Sequence, residues 1–565
     1  MIIEDAWKIL GIDPTKDENE IRTAYRTCVV KVNPEDDPEG FKQLREAYDM
    51  AMASLNDTGK EEENESEEEN KDEIDLHIDK ADEIYSDIFS RRDEDKWREW
   101  LKAPVVNELD TADKLREKFL AYCMGHFEFP HNIWKLFDGV FNYRAEHAQL
   151  AEIFPKEYLD FIIYQTEHES FLNYNRIIKR NDIDSRMAEI GLEINLESKP
   201  GIYEPEVFDT PVDVYIKEVS FMHGHIDKVL RCRYSDYMSA EERIEPEEER
   251  KKQEDDALEY LKAVLNHLKT FDIFSPIELA GILRVLFLEN RIEEAVSLAE
   301  IIIDNRLLDD VDVYVYSTAM FVLIEAKNIL GTLDEETLDK CDELADRQLE
   351  IISESIMALQ VKGQIRYYKK DYEKAGEFFI KALDINSRNN EAVMLLRRNS
   401  DASIDYYNKS IETGEASESD KLELAWSYFR MEKTEETLQV LDTINADESI
   451  FYGYNNLYGR CFYNEKEYEK AYPYLTKWVE MIEAMEARKE NGEKLSDKDE
   501  ERLTRIGFCY YMRASCAENL DKTEEAVKYY KKSVEKTEKT YSDINELLYY
   551  QENYGKLLMD QGRLE

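Results

Sequence analysis

The sequence predicts an almost entirely α-helical protein made of several domains. Helix-breaking residues are scarce, with 19 Gly and 12 Pro among 565 residues, as is typical of helical proteins. Apolar residues recur at helical spacing along most of the chain, and small residues recur with a helical-repeat period in the C-terminal half. The predicted regions are a three-helix head, a disordered acidic linker, a middle domain of helical hairpins and an α-solenoid, at residues 1–57, 58–80, 81–240 and 256–565.

Three apolar stripes predict the helices of the head. The first helix ends at Gly11, and the second begins after Asp17, with Glu20 at the position of a capping partner. The third helix follows the turn Asn33-Pro34-Glu35. The stripes are Ala6, Trp7 and Leu10; then Ile21, Ala24, Tyr25, Cys28 and Val32; and finally Phe41, Leu44, Ala47, Tyr48 and Ala51.

Short motifs of the head occur in a fixed order: Leu10-Gly11, Ile21-Arg22, Ala24-Tyr25-Arg26, Asn33-Pro34-Glu35, Phe41-Lys42 and Glu46-Ala47-Tyr48. This pattern resembles a J-domain, the module by which DnaJ-like (Hsp40-type) co-chaperones engage Hsp70. The resemblance implies that Asn33, Pro34 and Glu35 contact Hsp70 where the family has His-Pro-Asp. It also implies a basic contact face, formed by Arg22, Arg26 and Lys31.

Each of these two groups also has a simpler interpretation. Asn33-Pro34-Glu35 suits an ordinary helix-to-helix turn, because Pro fixes φ and Asn favours the start of a turn. Arg22 and Arg26 lie one turn apart and suit an ordinary solvated helix face. Compared with the J-domain motif, Asn33 keeps a hydrogen-bonding group but loses the imidazole, and Glu35 keeps the carboxylate one methylene further out.

The linker is predicted from its composition. No apolar residue lies between Gly59 and Ile74, and the run from Lys60 to Glu73 reads KEEENESEEENKDE. Such a segment cannot bury enough apolar surface to offset the entropy of ordering, so we predict that residues 58–80 are disordered and extended by self-repulsion.

The middle domain is predicted from aromatic and Phe-Pro phrases. Trp97, Trp100 and Leu101 lie at helical spacing, and Pro130 and Pro155 each precede an apolar helical stripe. We predict stacked helical hairpins. The segment 212–219 is compatible with either a strand or a helix.

The solenoid is predicted from repeated triplets of residues. A first small residue is followed by a second twelve positions later and by a third after seven more, and the distance from Ser403 to Thr437 to Ala471 is 34 each time. This pattern resembles tetratricopeptide repeats, which are pairs of antiparallel helices that stack into an array with a concave groove. The structural residues of the pattern are Gly363, Ala375, Ala382, Gly459, Ala471, Ala514 and Ala526.

The groove has no predicted tail-binding signature. Some tetratricopeptide proteins hold chaperone C-terminal tails with a clamp of Lys, Asn and Arg. The corresponding positions here hold Gln360 and Gln364 in one repeat and Asn456 and Arg460 in another, so the Lys-Asn pattern is absent.

Charge and cysteine content narrow the classes of partner and compartment. A formal net charge of −52 disfavours nucleic acid and anionic lipid as partners. The seven cysteines are dispersed, odd in number and without a Cys-x-x-Cys pair, which indicates a reducing cytoplasm and neither a disulfide framework nor a zinc site. The N-terminus carries no signal-peptide pattern, and no apolar run is long enough to cross a membrane.

The sequence offers little to support catalysis. It contains no glycine-rich phosphate loop, nucleophile elbow or His-Glu-x-x-His motif, so we expect no enzymatic activity, no cofactor and no metal. His223 and His225 would face one side of a strand and could bind zinc, although a turn marked by Gly224 is the simpler interpretation.

We therefore expect a cytoplasmic, bacterial-type co-chaperone. Its J-like head would engage an Hsp70-type chaperone, and its helical-repeat body would bind a client or adaptor protein in the groove. The alternative is a non-catalytic scaffold whose J-like head does not stimulate Hsp70.

Overall fold

The computed structural model of the chain divides into two compact units, Met1–His168 and Glu169–Glu565. Helices dominate both units, as the sequence predicts. The structure describes residues 3–12, 14–15, 21, 24, 47–48, 50–51, 72–108, 111–168, 172–205, 210–235, 246–308, 312–447, 450–540 and 544–562.

The described part of the head has a small apolar core. Helix α1 (Ile3–Leu10) ends at Gly11, whose φ of +68° is the left-handed conformation that a helix terminus favours in glycine. All three predicted stripes contribute buried residues to one cluster, which supports the predicted packing of three apolar faces. Its buried members are Ala6, Trp7, Leu10, Ile21, Ala24, Ala47 and Ala51.

Ordered structure begins inside the segment that we predicted to be a disordered linker. Helix α2 (Glu73–Ser86) starts at a cap in which the Asp72 carboxylate accepts a hydrogen bond from the Asp75 N–H at 2.8 Å. Ile74 and Ala81 lie on the buried side of this helix. The prediction of disorder was therefore wrong for residues 73–80. Apolar residues recur at helical spacing among the acidic residues of this segment and form a buried side. Residues 58–71 lie outside the described residues.

Eight helices described between residues 73 and 168 enclose an aromatic core. The Trp97 ring meets Phe129 and Phe137 edge to face, with centroids 5.5 and 5.1 Å apart. Pro130 and Pro155 stand immediately before two of these helices, where a missing backbone N–H costs nothing. The helices are α2, α3 (Ile88–Arg91), α4 (Glu94–Leu101), α5 (Pro104–Asn107), α6 (Ala112–Cys123), α7 (His131–Phe141), α8 (His147–Leu150) and α9 (Lys156–Glu167).

The predicted middle domain 81–240 does not form one unit. Its second half, from residue 172, packs with the solenoid and contributes one strand of a two-stranded antiparallel sheet. The segment 212–219, open to two interpretations in the sequence, is helical. The elements from residue 172 to the start of the solenoid helices are β1 (Ile178–Lys179), α10 (Arg180–Glu189), α11 (Pro211–Ser220), α12 (Met222–Arg233), α13 (Glu247–Leu268) and β2 (Ile273–Phe274).

One buried arginine joins this second half to the solenoid. Arg180 donates hydrogen bonds to the carbonyl oxygens of Leu268 and Ile273, both at 2.8 Å, and to Glu278 Oε1 at 2.9 Å. The Tyr215 hydroxyl donates to the same Glu278 oxygen at 2.5 Å. Burial raises the pKa of Glu278, and the neighbouring Arg180 opposes that shift. The predicted end of the middle domain at residue 240 was therefore wrong. Arg180 and Glu278 are 98 positions apart, so their ion pair leaves no local pattern in the sequence.

Replacing Arg180 tests this connection. Arg180→Met leaves the Glu278 carboxyl buried without its cation, so the free energy of unfolding should fall by about 3–5 kcal/mol, as measured by urea denaturation followed by circular dichroism. Arg347→Met is the control, because the Arg347 side chain is 64% exposed. Its effect should stay within about 0.5 kcal/mol. Equal effects of the two substitutions would contradict a structural role for the buried pair.

The solenoid consists of helical hairpins and single helices that stack on their neighbours. Residues 277–303 form a helix pair, and a charged insertion, residues 486–505, extends one hairpin. The helices are α14 (Ile277–Leu288), α15 (Ile292–Ile303), α16 (Val313–Ile329), α17 (Glu335–Ile351), α18 (Ile356–Tyr368), α19 (Tyr372–Ile385), α20 (Asn390–Thr413), α21 (Glu418–Arg430), α22 (Thr434–Leu441), α23 (Phe451–Asn464), α24 (Tyr468–Glu490), α25 (Asp497–Thr504), α26 (Ile506–Asn519), α27 (Thr523–Thr540) and α28 (Ile544–Asp560).

Glycines allow neighbouring helices of the solenoid to approach closely. A Cβ placed on Gly363 would lie 2.4 Å from Cε1 of the Phe379 ring, and one placed on Gly459 would lie 2.6 Å from Cδ2 of Leu475. These distances are shorter than the non-bonded contacts that Cβ atoms make in proteins. The large side chain of one helix therefore occupies the space that a side chain on its partner helix would need. The predicted small residues therefore set the spacing between helices.

The turn inside five hairpins has one backbone conformation. The second residue after the first helix has a positive φ, and the next N–H closes the helix end; for example, Asp371 N–H donates to the Arg366 carbonyl oxygen at 2.9 Å. This is the Schellman arrangement, which satisfies carbonyl groups at a helix C-terminus. The residues with positive φ are Asn290, Lys370, Glu432, Lys466 and Asp521.

A pair of Gly→Ala substitutions tests the close approach. Gly363→Ala forces a methyl group into the Phe379 ring and should lower the free energy of unfolding by about 1–3 kcal/mol in urea denaturation. Gly555→Ala is the control, because nothing lies within 4 Å of the added carbon in helix α28. It should raise the free energy of unfolding by about 0.5–1 kcal/mol. Stabilisation by both substitutions would show that the spacing does not depend on Gly363.

Candidate functional site: a charged groove in the solenoid

The J-like contact residues predicted from the sequence lie outside the described residues. They are Asn33, Pro34, Glu35, Arg22, Arg26 and Lys31. Their chemical role therefore stays a prediction.

The predicted repeat residues lie in the interior of the solenoid. Ala375, Ala382, Ala471, Ala514 and Ala526 are each 0% exposed. They therefore occupy contact surfaces between helices.

Two of the positions compared with a tail clamp have structural partners. Gln360 is 0% exposed and donates to Asn389 Oδ1 at 2.9 Å. Gln364 donates to Glu325 Oε1 at 2.8 Å. Asn456 and Arg460, in contrast, line an open groove.

The groove has a volume of about 750 Å³. Its walls come from helices α19, α20, α21, α22, α23 and α25, so it crosses several repeats and includes the charged insertion. Trp426 and Phe429 supply an aromatic surface on α21, and the lining also includes acidic groups on α19 and Arg460 on α23. The lining thus combines apolar area with charges of both signs, which suits a protein segment better than a small apolar ligand.

Four of the six cationic side chains that line the groove have carboxylate partners. The Arg505 guanidinium donates to Asp384 Oδ2 at 2.6 Å, and Lys498 Nζ lies 3.2 Å from Glu373 Oε1. The other two ion pairs are Arg397 with Glu432 and Arg502 with Asp499.

Arg430 and Arg460 differ from these four cations. Among the described residues, neither forms an ion pair or a hydrogen bond through its side chain. Instead, the Arg460 guanidinium carbon lies 4.7 Å from the ring centroid of Phe429, 5.3 Å from that of Phe508 and 5.8 Å from that of Trp426. Burial, together with the nearby charges of Arg505 and Arg430, lowers the pKa of Arg460 to about 10.

Two carboxyl groups of the groove also lack side-chain partners among the described residues. Burial raises the pKa of Glu423 to about 7, although the charge of Arg430 opposes the shift. Burial, followed by the charges of Glu501 and Glu373, also raises the pKa of Glu377. Among the described residues, the groove therefore holds two cationic and two acidic side chains without ion-pair partners.

The raised pKa of Glu423 predicts a pH-dependent effect on stability. Its folded pKa of about 7 exceeds the unfolded value of 4.5. The stabilising contribution of the protonated carboxyl is therefore complete below pH 4.5 and is lost as pH rises through 7. Glu423→Gln mimics the protonated form. Relative to the unsubstituted protein, it should raise the Tm of the solenoid by about 2–4 °C at pH 8 and by much less at pH 5.

Differential scanning fluorimetry at the two pH values measures this effect. Glu436→Gln is the matched control, because Glu436 is an exposed residue of the same region. It should shift the Tm equally at both pH values. A Glu423→Gln shift that is also independent of pH would contradict the raised pKa.

His223 and His225 lie on helix α12 and not on a strand, so the strand geometry considered for zinc is absent. His225 Nε2 lies 3.2 Å from Glu218 Oε2, and His223 Nδ1 lies 3.3 Å from the Tyr314 hydroxyl. Within the described ranges, no group of three or more His, Cys, Asp or Glu side chains could hold a metal ion. In that part of the chain, no helix has the length and apolarity needed to cross a membrane.

Two protein-family models match parts of the chain. Residues 75–169 match the DjlB/C second domain, and residues 358–389 and 509–535 match the tetratricopeptide repeat. The first match coincides with the aromatic-core helices α2 to α9, and the second falls on the hairpins α18/α19 and α26/α27. The chain therefore contains a DjlB/C-like second domain and tetratricopeptide-like repeats.

The curated relatives match over a short segment. Curved DNA-binding proteins of three Pseudomonas putida strains are 42% identical to this chain over 55 residues, which is 9% of this chain and 17% of each relative. The match thus spans less than a fifth of the length of these relatives.

Solved structures match over longer stretches but superpose poorly. A tetratricopeptide repeat protein from Parabacteroides merdae is 17% identical, covers 47% of this chain and 93% of its own, and has a TM-score of 0.19. Yeast Tom70 is 11% identical, with 96% and 93% coverage and a TM-score of 0.21. At these TM-scores, neither structure bears on the arrangement of the helices in this chain.

Proposed function

We propose that this chain is a non-enzymatic J-domain co-chaperone. Its J-like head would engage an Hsp70-type chaperone, and its solenoid would bind a segment of a client or adaptor protein. The observation that carries this proposal is the order of the parts: J-like motifs in residues 1–57 are followed by a segment, residues 75–169, that matches the DjlB/C second domain. A further match to DnaJ-like proteins over 55 residues supports it.

The groove supports the second half of the proposal. Tetratricopeptide-like repeats present a concave surface suited to protein partners. In this chain that surface combines aromatic rings with charged groups that have no partner among the described residues. A protein ligand can supply partners of opposite charge for these groups.

DNA binding is not part of the proposed function, although the curated relatives are named for binding curved DNA. The match covers 17% of those proteins. A net charge of −52 repels a polyanion at any distance within the Debye length. A cytoplasmic location fits the six described cysteines, which are all buried free thiols.

A scaffold without Hsp70 stimulation is the alternative. It is favoured by the replacement of the family's His and Asp with Asn33 and Glu35. ATP turnover by Hsp70 distinguishes the two functions, because both allow the groove to bind protein.

The test adds the full chain to purified bacterial Hsp70 proteins and measures steady-state ATP turnover. The co-chaperone proposal predicts a several-fold increase with at least one Hsp70, which Pro34→Ala abolishes. Restoring the family motif with Asn33→His and Glu35→Asp should increase the stimulation further. Glu436→Gln, an exposed change on the solenoid, should leave the stimulation unaltered.

Two results together would contradict the co-chaperone proposal. They are no stimulation by the unsubstituted chain and no gain from the restored motif with any Hsp70 tested. That outcome would favour the scaffold, whose protein binding should survive Pro34→Ala.

A further inference from the structure

The unpaired cations of the groove form a defined pocket. Arg460 on α23 is stacked against Phe429 of α21 and Phe508 of α26, and Arg430 ends α21. Stacking covers the faces of a guanidinium and leaves its N–H donors at the edges, where a carboxylate can accept two parallel hydrogen bonds.

The cations of this pocket have no paired carboxylate among the described residues. Arg460 lies close enough to Arg430 and Arg505 for their charges to lower its pKa, and Arg505 is already paired with Asp384. A desolvated cation without a counter-ion is costly, and its cost falls when an anion enters beside it. The pocket therefore favours an anionic group from outside the described residues.

A hydrogen-bond acceptor close to this pocket also lacks a donor among the described residues. Asn456 lies one turn before Arg460, and its side-chain carbonyl oxygen is buried without a hydrogen-bond donor among the described residues. An extended peptide offers backbone N–H groups at regular intervals, whereas a free anion such as phosphate offers no such row of donors.

Two acidic side chains lie farther along the same groove, at a distance from Arg430 that a short peptide can span. Glu423 and Arg430 are seven residues apart on α21, which corresponds to about 10 Å along the helix axis. Glu377, on helix α19, adds a second carboxyl near Glu423, since the charge of Glu377 contributes to the raised pKa of Glu423. A peptide in the extended polyproline II conformation has three residues per turn and rises about 3.1 Å per residue, so side chains three residues apart lie on one side and about 9 Å apart.

We propose that the groove binds an extended internal peptide segment that carries an acidic and a basic side chain about three residues apart. The acidic side chain would lie between Arg430 and Arg460. The basic side chain would lie at Glu377 and Glu423. This inference rests on the proposed protein-binding role of the solenoid, and it specifies the charge pattern of the ligand. It does not require a free C-terminal carboxylate.

Fluorescence anisotropy with the full chain and short labelled peptides tests this inference. The peptides are acetylated and amidated, with a background of Gly, Ser and Ala. One carries Glu and Lys about three positions apart, and the others carry Gln in place of Glu, of Lys or of both. We expect each charged residue to tighten binding about ten-fold, so the doubly charged peptide should bind about a hundred-fold more tightly than the neutral peptide.

Substitutions in the groove assign each charge to its site. Arg460→Gln should weaken binding of the Glu-containing peptides about ten-fold and leave binding of the peptides without Glu unchanged. Glu423→Gln should show the same selectivity for Lys. Arg460→Lys retains the charge and should recover part of the lost affinity. Arg347→Gln, which removes a cation that is 64% exposed and does not line the groove, should change affinity less than about two-fold.

The outcomes separate this inference from the proposed function. Equal binding of the charged and neutral peptides, or an equal loss for all peptides with Arg460→Gln, would overturn the charge pattern while leaving a peptide-binding groove. Binding that requires a free C-terminal carboxylate would also overturn it. If none of the peptides binds while Hsp70 stimulation persists, the inference fails and the head retains its proposed role.

Discussion

The close approach of helices at small residues is the constraint on which the solenoid depends. Phe379 occupies the space that a side chain at Gly363 would need, and Leu475 does the same at Gly459. Each contact sets the distance between the two helices of a hairpin, and the repeated left-handed turn sets how the chain enters the second helix. Because neighbouring hairpins stack through the same kind of surface, these local contacts also determine where groove-lining side chains from different repeats meet.

That arrangement gives the groove its chemical character. Ion pairs such as Arg505 with Asp384 occupy some of its charges, whereas Arg430 and Arg460 are held among aromatic rings without a carboxylate partner among the described residues. Burial makes such unpaired groups unfavourable in the free protein, so a ligand of matching charge relieves an existing cost. The same buried environment raises the pKa of Glu423, which lies two helical turns before Arg430 in the same groove. Stability and ligand preference are thus coupled at one surface.

The sequence predicted the features that depend on residue size and spacing. Gly363, Ala375 and Ala382 stand at fixed intervals because every repeat needs small residues at the same contacts, and the aromatic phrases predicted the helices of the second domain. Features that depend on long-range pairing were not predictable. Arg180 and Glu278 are 98 positions apart, so neither their ion pair nor the domain boundary that it defines leaves a local pattern. The turn at Lys370 has no glycine or asparagine signal, and no spacing rule distinguishes the unpaired Arg460 from the paired Arg505.

Site-specific photo-crosslinking in cells can identify which peptide segments the groove binds. A photoreactive phenylalanine analogue at Phe429 places the reactive group on the groove wall next to Arg460 with little change in shape. Mass spectrometry then identifies the captured segments of partner proteins. We expect extended internal segments with neighbouring acidic and basic residues, and we expect Arg460→Gln to reduce their capture. Capture only of C-terminal residues, or of segments without charge enrichment and independent of Arg460, would contradict this expectation.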